Sequence, residues 1–480
     1  MNLLELSGFN LERQGKVIIQ NGELDIQSGE QVLLSGISGS GKTSLGMALA
    51  GQLYSSAYKF QFNFSENSQF AAKVTLVNQY YYFKDKSGLS DFYYQQRYNS
   101  DDADRAETVR EVIKYSDNND AKLKELVAVL NLTERLDASL IQLSSGERKK
   151  LQLILALYEP SQIMILDNPY IGLDIASRNN LINYLSQLAK TGITFIIIDD
   201  DVDIPEFISN IIWIDENKQI QKTTRENYTP IIDIKAVPKT NLSGFQLPEL
   251  LDEYNNIIKF EQVTISYGTK IALNNVNWQV LPGQKWLLSG HNGAGKSTLL
   301  SLINGDHPQA YANEIYLFDR KRGSGESVWE IKQKIGFVSP ELHWNFDKRM
   351  TCLETVLSGY FDTPGLYRKA SPEQQQVAND WLARLGLTDY AAQRLSTVSS
   401  GIQRMLLLLR ALVKNPPLFI LDEPCQGLDD KQTANFVQLI DDLFANTEHT
   451  IIYVSHRADQ IPNCISHSLR LEHGSVIKSE

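Results

Sequence analysis

The sequence lacks three features that would place it in other classes of protein. It has only three cysteines in 480 residues, and their spacing matches neither a disulfide framework nor a zinc site, so a reducing, cytoplasmic setting is expected. It has no uninterrupted apolar run of the roughly 18 residues that a transmembrane helix needs. It has no excess of positive charge: the formal net charge is −11, which argues against nucleic acid as the main partner.

The remaining composition is that of a globular protein. Hydrophobic residues make up 42% and charged residues 21%, which are ordinary values for folded domains. A chain of this length is expected to form more than one domain, each with its own core.

An internal repeat fixes the organisation of the chain. The string LLSGISGSGKTSL at 33–45 recurs as LLSGHNGAGKSTL at 287–299, an offset of 290 − 36 = 254 residues. Two homologous halves are predicted, 1–221 and 257–480, joined by a linker at 222–256. The linker contains three prolines and has four basic against five acidic residues, which is typical of a short, neutral connection.

Within each half, short apolar runs alternate with segments of helical pattern. The runs QIMILD, LFILD, TFIII and TIIYV are apolar throughout, as expected for strands of a parallel sheet covered on both faces. Residues 80–143 and 341–397 are predicted to form an inserted helical subdomain in each half.

Two glycine-rich loops follow the pattern G-x-x-x-x-G-K-[ST], and each comes directly after an apolar run. Such a loop lets consecutive backbone N–H groups point at phosphate oxygens, and the following helix adds partial positive charge. The lysine is expected to reach the β- and γ-phosphates, and the last residue to hold Mg²⁺. The predicted nucleotide-binding residues are Gly36, Ile37, Ser38, Gly39, Ser40, Gly41, Lys42 and Thr43, and Gly290, His291, Asn292, Gly293, Ala294, Gly295, Lys296 and Ser297.

A second apolar run in each half ends in an aspartate, Asp167 or Asp422. A carboxylate at the carboxyl end of a parallel strand lies beside the phosphate loop, where it can help to hold Mg²⁺. Thr43 and Asp167, and Ser297 and Asp422, are therefore predicted as metal ligands.

A third motif precedes each of these aspartates: LSSGERKK at 143–150 and VSSGIQRM at 398–405. A serine and a glycine that open a helix form another anion site. The order of motifs resembles that of the ATP-binding cassette (ABC) family, whose usual signature is LSGGQ. This order is phosphate loop, Gln79, signature, aspartate strand, GLD and final strand. The resemblance covers nearly all of both halves.

The resemblance implies the fold and the cofactors. The expected fold class is α/β, with two P-loop cassettes in tandem, each with a mostly parallel sheet core, an antiparallel β edge and an inserted α-helical subdomain. ATP and Mg²⁺ are the implied cofactors, ATP hydrolysis is the implied activity, and Gln79 joins the implied metal ligands.

In the family, two cassettes stack head to tail, and each ATP lies between the phosphate loop of one and the signature of the other. A tandem chain can form both sites as an intramolecular sandwich. The resemblance implies that Ser144 and Gly146 contact the nucleotide held by the second half, and that Ser399 and Gly401 contact the nucleotide held by the first.

The site of the second phosphate loop, site two, has the parts of a hydrolytic centre. The resemblance implies that Glu423 polarises the attacking water, that His456 contacts the γ-phosphate and that Tyr267 stacks on adenine, although Tyr267 could instead be an ordinary strand aromatic. One departure is Pro340 at the position of the family's glutamine. The next residue, Glu341, is a candidate substitute ligand.

The site of the first phosphate loop, site one, departs at several positions. Asn168 replaces the glutamate, and an amide cannot act as a general base. Asp200, or Asp201 with a one-residue gap, stands where the histidine is expected, and Arg13 stands at the adenine position as a stacking group or as ordinary surface charge. In the opposing signature Ile402 replaces a polar residue. The hypothesis is that site one binds ATP while site two hydrolyses it; the alternative is drift without functional meaning.

The predicted function is ATP hydrolysis that drives a separate membrane permease. Residues 304–339 and 356–365 resemble a tandem-cassette subgroup associated with molybdate transport, so an oxyanion such as molybdate is the expected cargo. Aromatic residues at 80–83 and 92–98 are candidates for the permease contact or for the core of the subdomain. The expected location is cytoplasmic, at the inner face of the membrane. The alternative is a tandem ATPase that acts on the ribosome or as a regulator without a permease.

Overall fold

The computed structural model describes residues 2–13, 15–36, 39–66, 68–79, 107–115, 120–140, 143–173, 175–199, 204–229, 247–267, 270–291, 293–428 and 430–479. They form two compact units, with residues up to 229 in the first cassette and residues from 247 in the second. Among the described residues, no helix combines the length and the apolar character needed to cross a bilayer.

The first cassette contains two sheets and five helices within its described part. Its strands are β1 (Asn2–Arg13), β2 (Lys16–Gln27), β3 (Val32–Ser35), β4 (Lys59–Phe62), β5 (Ala71–Val77), β6 (Ser161–Asp167), β7 (Thr194–Ile198), β8 (Asn210–Ile214) and β9 (Ile220–Thr224). Its helices are α1 (Lys42–Leu49), α2 (Val109–Val112), α3 (Ala121–Val129), α4 (Ser145–Tyr158) and α5 (Ile175–Ala189).

The second cassette repeats this order and adds short helices. Its strands are β10 (Ile258–Tyr267), β11 (Lys270–Val280), β12 (Lys285–Ser289), β13 (Glu314–Leu317), β14 (Arg320–Lys321), β15 (Ile335–Val338), β16 (Leu418–Asp422), β17 (Thr450–Val454), β18 (His467–Glu472) and β19 (Ser475–Ser479). Its helices are α6 (Lys296–Ile303), α7 (Val328–Gln333), α8 (Pro340–Asn345), α9 (Cys352–Leu357), α10 (Pro372–Arg384), α11 (Ser400–Leu412) and α12 (Asp430–Phe444).

The main sheet of each cassette has six strands, of which five are parallel. The strand order is β5-β6-β7-β3-β8-β9 in the first cassette and β15-β16-β17-β12-β18-β19 in the second, and only the last pair of each sheet is antiparallel. A separate antiparallel sheet has the order β2-β1-β4 or β11-β10-β13-β14. The predicted α/β class, with a mostly parallel core and an antiparallel β edge, is confirmed.

Burial explains why the central strands are apolar throughout. Every residue of β6, β7 and β17 is buried, because a strand in the middle of a parallel sheet is covered on both faces. In the second cassette, helices α9 to α12 pack around a core that includes Trp381 and Phe436. In the first cassette, part of the predicted subdomain, including 80–83 and 92–98, lies outside the described residues.

The ends of the predicted linker belong to the cassettes. Strand β9 pairs with β8 from Ile220 to Thr224, so the expected boundary at residue 221 falls inside a strand. Leu247 is only 7% exposed and packs into the core of the second cassette. Residues 230–246, which separate these segments, lie outside the described part of the chain.

Candidate functional site

Both phosphate loops join a parallel strand to a helix, as their sequences predict. Gly41 and Gly295 precede α1 and α6, each with a φ of 105°, which is a left-handed conformation that glycine adopts without strain. A Cβ atom at Gly41 would lie 2.1 Å from Ile18, and one at Gly295 would lie 2.7 Å from the Ala272 carbonyl oxygen. Only glycine therefore fits these two positions.

The loop lysines fold over their own loops. Lys296 Nζ donates to the carbonyl oxygens of Gly290 at 2.7 Å and His291 at 3.1 Å, and Lys42 Nζ donates to the Gly36 carbonyl. Ser40 Oγ is buried and makes no hydrogen bond within the described residues. A glycine-rich loop with a lysine ammonium against it, and in the first cassette an unpaired hydroxyl, fits a polyphosphate. Ile37, Ser38 and Asn292 lie outside the described residues.

The two strand-end aspartates occupy matching positions, and Asp167 is hydrogen-bonded to Thr43 at the start of α1. Asp167 is 1% exposed, and burial raises the pKa of its carboxyl, although a hydrogen bond from Thr43 and the charges of Lys149 and Lys42 oppose the shift. Asp422 ends β16 at the matching position, paired in register with Val454. One carboxylate with one hydroxyl fits Mg²⁺, which takes its other ligands from water and substrate phosphates.

The residues that follow these aspartates share one backbone geometry. Asn168 and Glu423 have φ values of 46° and 42°, and their N–H groups donate to the carbonyls of Ile198 at 2.8 Å and Val454 at 3.0 Å. Both side chains therefore leave the sheet at the same point. The difference between the two cassettes at this position is chemical, since the backbone is the same.

Glu423 lies in a polar setting that favours its charged form. Its Oε1 atom is 3.1 Å from His456 Nε2, and its Oε2 atom accepts a hydrogen bond from Gln426 Nε2 at 2.9 Å. Burial by itself raises the pKa of Glu423, but His456, Lys296 and Arg404 outweigh burial and hold that pKa below its ordinary value.

Asn168 makes a different contact. Its Nδ2 atom donates to Asp167 Oδ1 at 3.3 Å, so the amide is turned toward the neighbouring carboxylate. Asp200 and Asp201, the expected counterparts of His456, lie outside the described residues. The described part of site one therefore contains an amide donor where site two has a carboxylate.

The signature of the first cassette is locked by a capping box. Ser144 Oγ accepts from the Glu147 N–H at 3.3 Å, and the Ser144 N–H donates to Glu147 Oε2 at 2.8 Å. Arg135 also donates to both oxygens of Glu147, at 2.6 and 3.0 Å. Gly146 lies in the same first turn of α4. These contacts fix the helix N-terminus that is predicted to face a nucleotide.

The signature of the second cassette has only one of the two hydrogen bonds of a capping box. Ser399 Oγ accepts from the Ile402 N–H at 3.4 Å, but the Ile402 side chain cannot return a hydrogen bond. Gly401 packs closely, because a Cβ atom there would lie 3.0 Å from Gln432. The departure at Ile402 therefore removes the reciprocal bond of the cap while the helix N-terminus is kept.

Tyr267, at the end of β10, is held by a buried histidine. His307 Nδ1 accepts from the Gln309 N–H at 3.2 Å, and burial lowers the pKa of His307 to about 4, so the neutral ring carries its proton on Nε2. That nitrogen lies 2.8 Å from Tyr267 Oη and donates to it. The tyrosine ring is thus fixed by a residue that follows α6.

The first cassette has neither partner of this pair. Arg13 stands at the position of Tyr267, and its Nη1 atom donates to Ser44 Oγ on α1 at 3.2 Å. The same offset of 254 residues places Leu53 at the position of His307. Arg13 therefore reaches the helix that follows the phosphate loop, which neither the stacking nor the surface-charge alternative anticipated.

The loops after β5 and β15 also differ. Gln79 follows β5, and its carbonyl, like those of Asn78 and Asp167, lies within 3.0 to 3.4 Å of Lys149 Nζ. In the second cassette Pro340 begins α8, and Glu341 lies in the first turn of that helix. At the position of the family's glutamine, the second cassette thus has Pro340, the first residue of a short helix.

Sequence reasoning missed four residues of these sites: Lys149, Arg404, Gln426 and His307. Lys149 and Arg404 are 5% and 2% exposed, and each lies five residues after the signature serine of its cassette. A basic residue repeated at one offset in both signature helices was a signal that could have indicated a shared role. No comparable pattern marks His307 or Gln426.

Comparison with known proteins agrees with these motifs. The model of the ABC transporter family matches residues 19–171 and 273–426. The ABC transporter ATP-binding protein ModF of Escherichia coli (strain K12) is 36% identical over 469 residues, which are 94% of this chain and 93% of that protein.

Two further similarities were found. An uncharacterized ABC transporter ATP-binding protein of Schizosaccharomyces pombe is 27% identical over 96% of both chains. A solved dimeric cassette, MJ0796 bound to ADP and Pi in a post-hydrolysis state, is 28% identical over 46% of this chain and 97% of that chain, with a TM-score of 0.39. Because the family model matches both halves and ModF is similar along nearly the whole length, this chain belongs to the ABC transporter family and is an ABC-type ATPase with two cassettes.

Proposed function

We propose that the two cassettes have different tasks: site two hydrolyses ATP, whereas site one binds ATP and retains it. The observation that carries this proposal is the equal backbone geometry of Glu423 and Asn168 with unequal side chains. A carboxylate can accept the proton of an attacking water, and an amide cannot. Loss of a general base lowers a rate by roughly 10²–10⁴-fold, while both phosphate loops keep the residues that bind ATP.

The two signatures are proposed to bind nucleotide phosphate as well. Ser144 and Gly146 of the first signature, and Ser399 and Gly401 of the second, are proposed to make these contacts. The ordered N-termini of α4 and α11 support this proposal, because a helix N-terminus attracts a phosphate group.

In site two, Glu423 orients the attacking water and takes its proton. His456 leaves Glu423 to donate to the γ-phosphate, and Lys296 balances charge on the β- and γ-phosphates. Mg²⁺, held by Ser297 and Asp422, supplies further charge neutralisation when bound. The lowered pKa of Glu423 supports this role, since the base must be ionised at neutral pH.

In site one, Lys42 would hold the phosphates, and Thr43, Gln79 and Asp167 would hold Mg²⁺. Asn168 donates from its side-chain Nδ2 atom to Asp167 Oδ1 and offers no base.

Matched substitutions test this asymmetry. We expect Glu423→Gln to lower the ATPase rate of the full chain by roughly 10²–10⁴-fold and Asn168→Ala to change it by less than about twofold. In the Lys296→Ala variant, which leaves only site one, labelled nucleotide recovered from the protein should be ATP. Recovery of ADP at the rate of the native chain, or a larger loss from Asn168→Ala than from Glu423→Gln, would contradict the proposal.

The transport role is a separate part of the proposal. ATP hydrolysis in site two drives a membrane permease, and the cargo is an oxyanion such as molybdate. Support comes from membership of the ABC transporter family and from the resemblance of residues 304–339 and 356–365 to molybdate-associated tandem cassettes. The cation-rich segment at 320–332 gives no support to a nucleic-acid partner, because Lys321 pairs with Glu314 at 2.6 Å and Arg322 pairs with Glu326.

Cellular molybdenum content tests the cargo. Cells whose only copy carries Glu423→Gln should accumulate less molybdenum from limiting molybdate than cells with the native chain, and cells with Asn168→Ala should not. Unchanged molybdenum in the Glu423→Gln cells would refute the oxyanion role and leave the ATPase asymmetry standing. Nucleotide-dependent sedimentation with ribosomes would instead favour the tandem ATPase without a permease.

A further inference from the structure

The loop after β16 places a glutamine against the predicted catalytic base. Gln426 lies three residues after Glu423, and its N–H donates to the Glu423 carbonyl at 3.1 Å, which closes a turn. From that turn its side-chain Nε2 donates to Glu423 Oε2 at 2.9 Å. The hydrogen bond that holds this carboxylate therefore comes from Gln426 on Oε2, while His456 Nε2 lies 3.1 Å from Oε1.

A buried arginine fixes the turn that carries Gln426. Arg404 is 2% exposed and lies on α11, the helix that begins at the second signature. Its Nη2 atom donates to the Gln426 carbonyl at 2.8 Å. Because the main chain of Gln426 is held at both its N–H and its carbonyl, the side-chain amide has little freedom to leave Glu423.

The orientation of the amide is also determined. Gln426 Oε1 is buried and accepts no hydrogen bond within the described residues. The side-chain amide therefore contacts Glu423 through its nitrogen. A rotated amide would place its oxygen against a carboxylate, which accepts hydrogen bonds and donates none when ionised.

All three members of this arrangement are replaced together in the first cassette. The offset of 255 residues, 423 − 168, places Lys149 at the position of Arg404 and Ile171 at the position of Gln426. Lys149 donates to the carbonyls of Asn78 and Asp167, and Ile171 has no side-chain donor. The amide donor is thus absent in the cassette whose base is also absent, as expected if its purpose is to position a carboxylate.

We propose that Gln426 is a positioning residue that holds the Glu423 carboxylate in place for the attacking water, and that Arg404 fixes Gln426 for this task. The inference rests on the proposed function of site two and adds two residues to it. One hydrogen bond uses one of the two lone pairs of Oε2, so the same oxygen can still accept a proton from water. Arg404 lies on the signature helix of its own cassette, so the same contact ties that helix to Glu423.

Steady-state kinetics of the full chain test this proposal. Gln426→Met keeps the length of the side chain and removes the donor. Because this hydrogen bond is made to a charged group, its loss should lower kcat by about tenfold or more. The KM for ATP should change by less than about twofold. Ile171→Met, the same replacement at the matching position of the first cassette, is the control and should leave kcat unchanged.

A double-mutant cycle separates positioning from a general effect on folding. In the Glu423→Gln background, Gln426→Met should change the residual rate by less than about twofold, because no carboxylate remains to be positioned. Arg404→Lys, which installs the residue of the first cassette, should lower kcat in the native background and have little effect in the Glu423→Gln background.

Each contrary result is informative. An unchanged kcat in Gln426→Met, a rise in KM alone, or an equal fall in both backgrounds would overturn the proposal even if Glu423→Gln abolishes activity. An active Glu423→Gln variant would instead refute the proposed function of site two. Thermal unfolding of each variant checks that the comparison is between folded proteins.

Discussion

The contact between His307 and Tyr267 gives a quantitative prediction about ATP affinity. His307→Leu introduces the residue found at the matching position of the first cassette, Leu53. It removes the donor that lies 2.8 Å from Tyr267 Oη and leaves the tyrosine ring free to turn away from the position where adenine is proposed to stack.

General interaction energies bound the size of the effect. A hydrogen bond contributes a net ~1 kcal/mol, which corresponds to roughly fivefold in an equilibrium constant. The stacking of one base on an aromatic ring contributes about 1–3 kcal/mol, which sets the upper limit. We therefore expect His307→Leu to raise KM for ATP by about fivefold, and Tyr267→Ala to raise it at least as much. The kcat should stay unchanged, because stacking stabilises the bound ground state and the transition state equally.

The assay is steady-state ATP hydrolysis by the purified chain at varied MgATP. His449→Gln is the matched control, since His449 is another buried histidine of the second cassette, with a pKa that burial lowers to about 4, and it contacts Asn415 instead of Tyr267. The reasoning is refuted if Tyr267→Ala raises KM and His307→Leu does not. It is also refuted if His307→Leu lowers kcat at constant KM.

Three further predictions concern stability. Glu147→Ala breaks the capping box and leaves Arg135 without its carboxylate. Urea unfolding should therefore show that the free energy of unfolding falls by up to about 3 kcal/mol. An unchanged free energy of unfolding would mean that the pair is energetically neutral. Lys149→Met leaves buried carbonyls without their donor and should cost about 1–3 kcal/mol in the same assay, and a stable variant would show that other groups satisfy them. Because burial holds the pKa values of His307 and His449 at about 4, the unfolded chain binds more protons than the folded one between about pH 4 and the ordinary histidine pKa of about 6.5. Thermal stability should therefore rise with pH across this window and rise less steeply in His449→Gln, and an unchanged slope would contradict the burial argument.

The repeat, the phosphate loops and the strand-end aspartates could be predicted from sequence because their chemistry is local. A loop such as Gly290–Ser297 needs glycines, a lysine and a hydroxyl at fixed spacing, and a strand such as Ser161–Asp167 must be apolar throughout because it is covered on both faces. The difference between Glu423 and Asn168 could also be seen in the sequence, because these aligned positions in two copies of one motif differ in a single functional group. The bounds of the linker could not be predicted as well from the sequence. Strand pairing at Ile220–Thr224 and burial of Leu247 depend on partners elsewhere in the chain.

By itself, then, the sequence determined the fold class and the family, and it showed which aligned motif residues differ between the two halves. Only the tertiary structure decided which side chains support them. His307 lies 40 residues from Tyr267, and Arg404 lies 22 residues from Gln426, so no local pattern links either pair. The physical reason is that a buried donor must find an acceptor wherever the fold brings one within about 3 Å, and that meeting is fixed by packing rather than by spacing along the chain.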